Sequence, residues 1–205
     1  SAGQAVVTAT YRSYSKSCTV TVTKKPVTYT YALEVKLADS AINVGGTTTA
    51  TATYITYADG VKSSSKDVTS SATWSSGTSA VASVSGGTVS GKTSGTSVIK
   101  ATYNGYTGSE TVTVNDVLTY GLELSATSAT ISVGNTKAIA AYYITFTNGT
   151  RTSSKTVTSS ASWSSSNSAV ASVSGGSVTA KATGSATITA TYNGYSATAT
   201  VTVED

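Results

Sequence analysis

Shifted by 89 residues, this chain lies on itself without a gap. The shift carries Trp74 onto Trp163 and Tyr103-Asn104-Gly105-Tyr106 onto Tyr192-Asn193-Gly194-Tyr195, and about half of the positions from Tyr31 onward are identical. An internal repeat states what the structural unit is before any other signal is read. A unit of this length can bury a core of its own, so the chain reads as an array of beads. A third, partial copy stands at the front, where Gly3–Val22 repeats Gly95–Val114 at an offset of 92. The expected division is residues 1–25 as the terminal two strands of an incomplete unit, 26–116 as one complete unit and 117–205 as the next.

The side-chain inventory narrows the fold class. Thr, Val and Tyr, which favour strands, are abundant, while Leu, Glu and Lys are scarce. Apolar and polar residues alternate throughout, which separates the chain from Ser/Thr-rich stalks that need proline; only one Pro is present. In the last copy Tyr195, Ala197, Ala199, Val201 and Val203 alternate with Ser and Thr, and Ile188, Ala190 and Tyr192 do the same before them. Period two with one apolar face is a half-buried strand. Asn193-Gly194 joins the two runs, and a type I′ turn, which needs positive φ at both central residues, sets Tyr192 opposite Tyr195 with both apolar sets facing inward. Further strands are expected at Leu33–Leu37, at Ile42–Val44, from Thr47 to Tyr57, from Val68 to Trp74, and as a short hairpin of Val81–Val84 and Thr88–Ser90 around Gly86-Gly87. Seven or so short strands of this kind make an all-β chain of tandem Greek-key sandwiches, with Trp74 and Trp163 filling the space between sheets.

Several dispersed motifs carry a family likeness. Trp74-Ser75-Ser76, Val81-Ala82-Ser83-Val84, Gly95 and Thr111-Val112-Thr113-Val114 resemble the bacterial immunoglobulin-like group 2 (BIg2) domain family. In the second copy Trp163-Ser164-Ser165-Ser166-Asn167, Val170-Ala171-Ser172-Val173 and Gly184-Ser185-Ala186-Thr187-Ile188 resemble it more closely. The resemblance implies tandem immunoglobulin-like units of the sort found in bacterial adhesins, surface proteins, accessory modules of secreted enzymes and phage virion proteins. It carries over no catalytic residue and no cofactor.

The chemistry-bearing residues are few. Without His there is no imidazole base, so Ser-His-Asp and Cys-His arrangements are excluded. Asp59 and Asp67 become Asn148 and Thr156 in the second copy, which argues against a shared catalytic pair. No catalytic, cofactor or metal site is expected. Glu34, Asn115, Asp116 and Glu123 read as solvated charge near the repeat boundary, with calcium coordination as the sharper alternative. The net charge of +4 is scattered, and Lys24-Lys25 is the only adjacent basic pair, so nucleic acid is not an expected partner. The longest mainly apolar stretch, Ala138–Ile144, falls far short of the roughly 20 residues of a membrane span.

Tyrosines are the candidate contact residues. Tyr103, Tyr106, Tyr192 and Tyr195 face inward by parity. Tyr29, Tyr31, Tyr57, Tyr120 and Tyr142 or Tyr143 are the ones available to stack on a glycan or anchor a host-surface protein, against a bland role in covering sandwich edges. Asn148-Gly149-Thr150 is a glycosylation sequon in an expected turn, and Asp39-Ser40-Ala41 matches a short O-glycosylation pattern. Cys18 lies on the apolar face of its strand.

In the front segment Val7, Ala9, Tyr11, Val20 and Val22 form an apolar face with no cover, and Arg12-Ser13 replaces Asn-Gly at the turn. Two explanations stand: a remnant of a longer array, or strands that complete a sandwich contributed by another chain and so build a fibre. The expected role is a non-catalytic stalk, spacer or adhesion region on a cell or virion surface. Its neighbours would be other immunoglobulin-like domains.

Overall fold

The computed structural model describes residues 2–205, and every regular element in it is a strand. Two compact units are present, one built from residues up to Ile42 and from Gly46–Thr113, the other from Asn43–Gly45 and Val114–Asp205.

The first unit begins with a two-stranded hairpin, β1 (Gly3–Tyr11) and β2 (Tyr14–Val22), which pairs with no other strand among the described residues. There follow β3 (Tyr29–Leu37), β4 (Ala41–Asn43), β5 (Thr47–Ala58), β6 (Val61–Asp67), β7 (Thr73–Ser76), β8 (Ala82–Ser85), β9 (Thr88–Gly91), β10 (Gly95–Tyr103) and β11 (Tyr106–Asn115). One sheet runs β3-β5-β9-β8, with β6 paired to β5; the other runs β4-β11-β10-β7. Lettering β3, β5, β7, β8, β9, β10 and β11 as A to G gives A-B-E-D against G-F-C, the immunoglobulin-like Greek-key arrangement. The short β4 and the β6 hairpin are additions to that plan.

The second unit repeats the order with β12 (Leu118–Leu124), β13 (Ser128–Ser132), β14 (Thr136–Ala138), β15 (Ala141–Thr147), β16 (Thr150–Thr156), β17 (Ser162–Ser165), β18 (Ala171–Ser174), β19 (Ser177–Ala180), β20 (Gly184–Tyr192) and β21 (Tyr195–Glu204). Here the B strand is interrupted at Ile139-Ala140, so its sheet divides into β12-β15-β16 and β14-β19-β18; the facing sheet is β13-β21-β20-β17.

The closing hairpins form as the alternation demands. Asn104-Gly105 and Asn193-Gly194 carry positive φ at both positions (48° and 80°, 47° and 81°), and Tyr192 pairs with Tyr195. Ala186, Ile188, Ala190, Ala199, Val201 and Val203 are all buried on the inner face. Each fully buried Val or Ile contributes roughly 2 kcal/mol of transfer free energy, and the outer face is left to Ser and Thr.

Three expectations are corrected. Val68–Ala72 is not strand. Val68 is buried and its N–H bonds to Ala52 O, but the Ser71 and Ala72 N–H groups both return to Val68 O, which closes a turn. The strand that carries Trp74 begins at Thr73 and runs on through Ser75 to Ser76, past the expected end at Trp74. The strands β6 and β16 were not anticipated at all: every residue in them is exposed, so no alternation marks them.

Each indole is half-buried and tied down. Trp74 Nε1–H donates to Thr69 O and Trp163 Nε1–H to Thr158 O, both at 2.9 Å. Trp163 packs against two apolar clusters, one around Ile188 and Val201 and one around Ala141, Val157 and Ala190. It occupies the inter-sheet space, as expected, from an edge strand.

The room for this arrangement comes from a glycine. Gly176 has φ +83°, and a Cβ there would meet Ile139 O at 2.5 Å, Thr158 Cγ2 at 2.5 Å and Trp163 Cζ2 at 3.3 Å. Gly134 has nearly the same φ, +82°, with open space around it. Gly134→Ala is expected to cost about 1–2 kcal/mol from backbone strain alone. Gly176→Ala is expected to cost about 1–3 kcal/mol more, from overpacking against backbone. Urea denaturation followed by tryptophan emission checks this; equal costs for the two would contradict the crowding.

Candidate functional site

Four tyrosines gather in each unit where the closing hairpin meets the facing sheet. Tyr54 on β5 is the hub of the first group. Tyr31 from β3 stacks on it at 5.5 Å and 12°, while Tyr103 and Tyr106, which flank the Asn104-Gly105 turn, present edges at 5.4 and 5.7 Å. The second unit repeats this around Tyr143, with Tyr120 stacked at 5.5 Å and 8°, Tyr192 at 5.4 Å and Tyr195 at 5.9 Å. Offset-stacked and edge-on pairs at these separations add about 0.5–1.5 kcal/mol each beyond area burial.

The grouping sorts the candidate contact residues. Tyr103 and Tyr192 are half-buried as parity demands, whereas Tyr106 and Tyr195 keep 37% of their surface in solvent. Tyr31 and Tyr120 are about as exposed, but one face of each ring is already committed to its hub, and Tyr143 is itself a hub. Tyr57 and Tyr142 are half-buried; Tyr29 is exposed and stands in neither group. Parity places a side chain on a face but says nothing of distance. The recurrence of all four tyrosines at the repeat offset is the signal that could have found the clusters.

Among these phenols Tyr54 is perturbed. Burial, then the neighbouring Tyr106, Tyr31 and Tyr103, pushes its pKa above the ordinary value. The clusters present aromatic edges and hydroxyls at the surface, suited to packing, and the cross-strand register sets Lys66 beside Tyr54 and Lys155 beside Tyr143.

The charged candidates resolve into structural roles. Asp59 and Asn148 occupy the same turn position with φ 48° and 51°. Asp59 Oδ1 accepts the Thr28 N–H at 3.0 Å, and Asn148 Oδ1 accepts the Val117 N–H at 2.8 Å. Asp and Asn tolerate this backbone and offer the same acceptor, which is why one replaces the other. Asn148 Nδ2 also donates to Asp116 Oδ1 at 2.7 Å, so the sequon amide is engaged at both ends. Asp67 Oδ1 accepts the Thr69 N–H at 2.8 Å, and its bonds to Thr69 hold its carboxyl below the usual range. Asp39 and Ser40 are exposed between β3 and β4.

Glu123 pairs with Arg151 at 2.9 Å and Glu34 with Lys36 at 3.3 Å, all on the surface. Among the described residues no group of three His, Cys, Asp or Glu side chains is placed to hold a metal ion. The first unit does have an open groove of about 610 Å³, bordered by Glu34, Lys36, Tyr57, Lys62 and Glu110. Two carboxylates lie along it, but the second unit keeps only Glu123 and has Ala199 in place of Glu110. Cys18 is exposed opposite Val7 on the uncovered hairpin. Among the described residues no helix is long and apolar enough to cross a membrane.

Residues 120–203 match the family profile described as Bacterial Ig-like domain (group 2). Ice-binding protein 1 of Shewanella frigidimarina (strain NCIMB 400) is 36% identical over 124 residues, which is 58% of this chain and 13% of that protein. Among solved structures, the S-layer protein rSbsC is similar at 19% identity and a TM-score of 0.37, over 98% of this chain and 32% of that one. The extracellular cadherin domains 1–5 of protocadherin gamma B2 are similar at 14% identity and a TM-score of 0.35, over 93% and 43%.

The raised Tyr54 pKa has a defined consequence for stability. The folded state holds that phenolic proton more tightly than the unfolded chain does. The stability linked to it is therefore present below the ordinary tyrosine pKa and lost as pH climbs through the raised value. Tyr54→Phe is expected to remove a step of the phenolate absorbance titration lying above the ordinary tyrosine range. A titration unchanged by the substitution would contradict the hub assignment.

Proposed function

We propose that this chain is a non-catalytic, load-bearing run of immunoglobulin-like units from an extracellular bacterial protein, with residues 26–116 and 117–205 as the complete units. One observation carries the reading: within each sandwich the indole, the clustered tyrosines and the turn side chains are engaged by that same unit. The indole N–H groups, the tyrosine clusters and the Asp59 and Asn148 turns are all satisfied inside the unit that owns them. The groove on the first unit is not lined by the same groups in the second. A segment whose copies preserve internal contacts and vary their surface serves as a spacer more readily than as a receptor.

The ice-binding relative supports a modular placement, because the matching region is a small part of a much longer protein. A binding role, for glycan or for ice, has one observation in its favour. The outer face of β20–β21 carries the hydroxyl pairs Ser185–Thr202, Thr187–Thr200, Thr189–Thr198 and Thr191–Ser196 with no charge among them. The first unit breaks the same ladder with Val98 and Lys100, which points away from a surface that both copies need.

Pulling single molecules from their ends tests the spacer reading. Two separate rupture events are expected, each releasing about 300 Å of chain, since an extended residue spans at most about 3.3–3.6 Å. Extension without force peaks would contradict it, as would retention on a glycan array or on ice by a face that Thr187→Lys abolishes.

A further inference from the structure

The hairpin β1–β2 has the surface of a core and the exposure of a loop. Its cross-strand register sets Ala5 beside Val20, Val7 beside Cys18, Ala9 beside Lys16 and Tyr11 beside Tyr14, with Val22 at the end of the same face. Val7 is 60% exposed, Tyr11 73% and Tyr14 80%. An isolated two-stranded hairpin is marginal in water, and Arg12 at its turn is held at φ +51° without the asparagine or glycine that such backbone favours.

We propose that this face is the closing F–G face of a third immunoglobulin-like sandwich, and that its occupant is a sheet of the A-B-E-D type from a unit without a closing hairpin of its own. The two complete units show the fit position by position. In β20–β21 the corresponding residues are Ala186, Ile188, Ala190, Tyr192, Tyr195, Ala197, Ala199, Val201 and Val203. There Ile188 pairs with Ala199; here Val7 pairs with Cys18 in the same register. One partner loses a methylene and the other gains a sulfur, a near volume-conserving exchange of the kind that packed cores tolerate. Ile188 and Ala199 are exposed by 0% and 1%.

Tyr11 and Tyr14 define the occupant further. They stand where Tyr103 and Tyr106 stand, which is around the ring of Tyr54. A hollow of about 270 Å³, bordered by Ala9, Tyr11, Tyr14 and Lys16, marks the corresponding place on the hairpin. The occupant therefore brings a hub tyrosine on its B strand.

A second copy of this chain is not that occupant. Its own hairpins already fill its two sandwiches. In the first unit Lys16 would also have to replace Gly108, where a Cβ meets Leu33 O at 2.5 Å. The second unit has Ala197 at this position and is the better template for the missing sheet.

The lone thiol reads the result. A fusion of residues 117–183 directly ahead of Gly3 supplies β12–β19 with the spacing that joins β19 to β20. Cys18, labelled rapidly by iodoacetamide in the chain itself, is expected to be protected about a hundredfold in the fusion, because only opening of the core then exposes it. Val7→Asp in the fusion is expected to restore labelling. A second fusion, of residues 26–94 ahead of Gly3, is expected to leave Cys18 open to labelling, because Lys16 meets the Gly108 position and the matching Glu110 is exposed beside the groove. Unchanged labelling in the first fusion would overturn the proposal. So would concentration-dependent protection of Cys18 in the unfused chain alongside dimer formation in sedimentation, which would make a second copy the occupant.

Discussion

One threonine in each unit holds three elements in register. Thr158 Oγ1 accepts the Ala141 N–H at 2.9 Å, its carbonyl accepts the Trp163 indole N–H at 2.9 Å, and its methyl group stands where Gly176 leaves room. Thr69 does the same for Ala52, Trp74 and Gly87. The B strand, the edge strand with the indole and the hairpin of the D and E strands therefore meet at a single turn residue. A buried donor left unpaired costs about 1–3 kcal/mol, so these bonds specify geometry as much as they stabilise it. The Val68–Ala72 turn exists to deliver that threonine.

From this node the rest of each unit follows. With the indole fixed between the sheets, the inner faces of the F and G strands close over it and bury Ile188, Val201 and their counterparts Ile99 and Val112. The tyrosine hub covers the apolar interior beside the Asn-Gly turn. Outside the front hairpin the surface is mostly hydroxyls and scattered lysines, with single exposed apolar side chains such as Tyr29, Val61, Leu118 and Val133. That division underlies the functional reading: in the two sandwiches the indoles and the clustered tyrosines are engaged within the unit.

The sequence displayed some of this and hid the rest for physical reasons. Ile188, Ala190, Ala199 and Val201 announce their strands because one face is buried and the other is not. Asn193-Gly194 announces its turn because few other residues accept positive φ twice. Val61–Asp67 is silent because an edge strand exposed on both faces has no alternation to show. Val68-Thr69 misled because strand propensity reports a half-buried pleated surface, and here the burial comes from a turn. The tyrosines were legible as residues on a face, but their convergence depends on the cross-sheet distance, which no single strand records. The change from Asp59 to Asn148 argues against shared catalysis in the sequence, and the two residues are one turn device written two ways.

Native-state hydrogen exchange on Thr158→Val tests the account most directly, since the substitution keeps the shape and removes the acceptor for Ala141. Amides of β14–β21 are expected to lose protection by about tenfold, the equivalent of about 1.4 kcal/mol, while those of β5–β10 keep theirs. Loss of protection across both units together, or in neither, would contradict the claim that each sandwich closes around its own threonine–indole node.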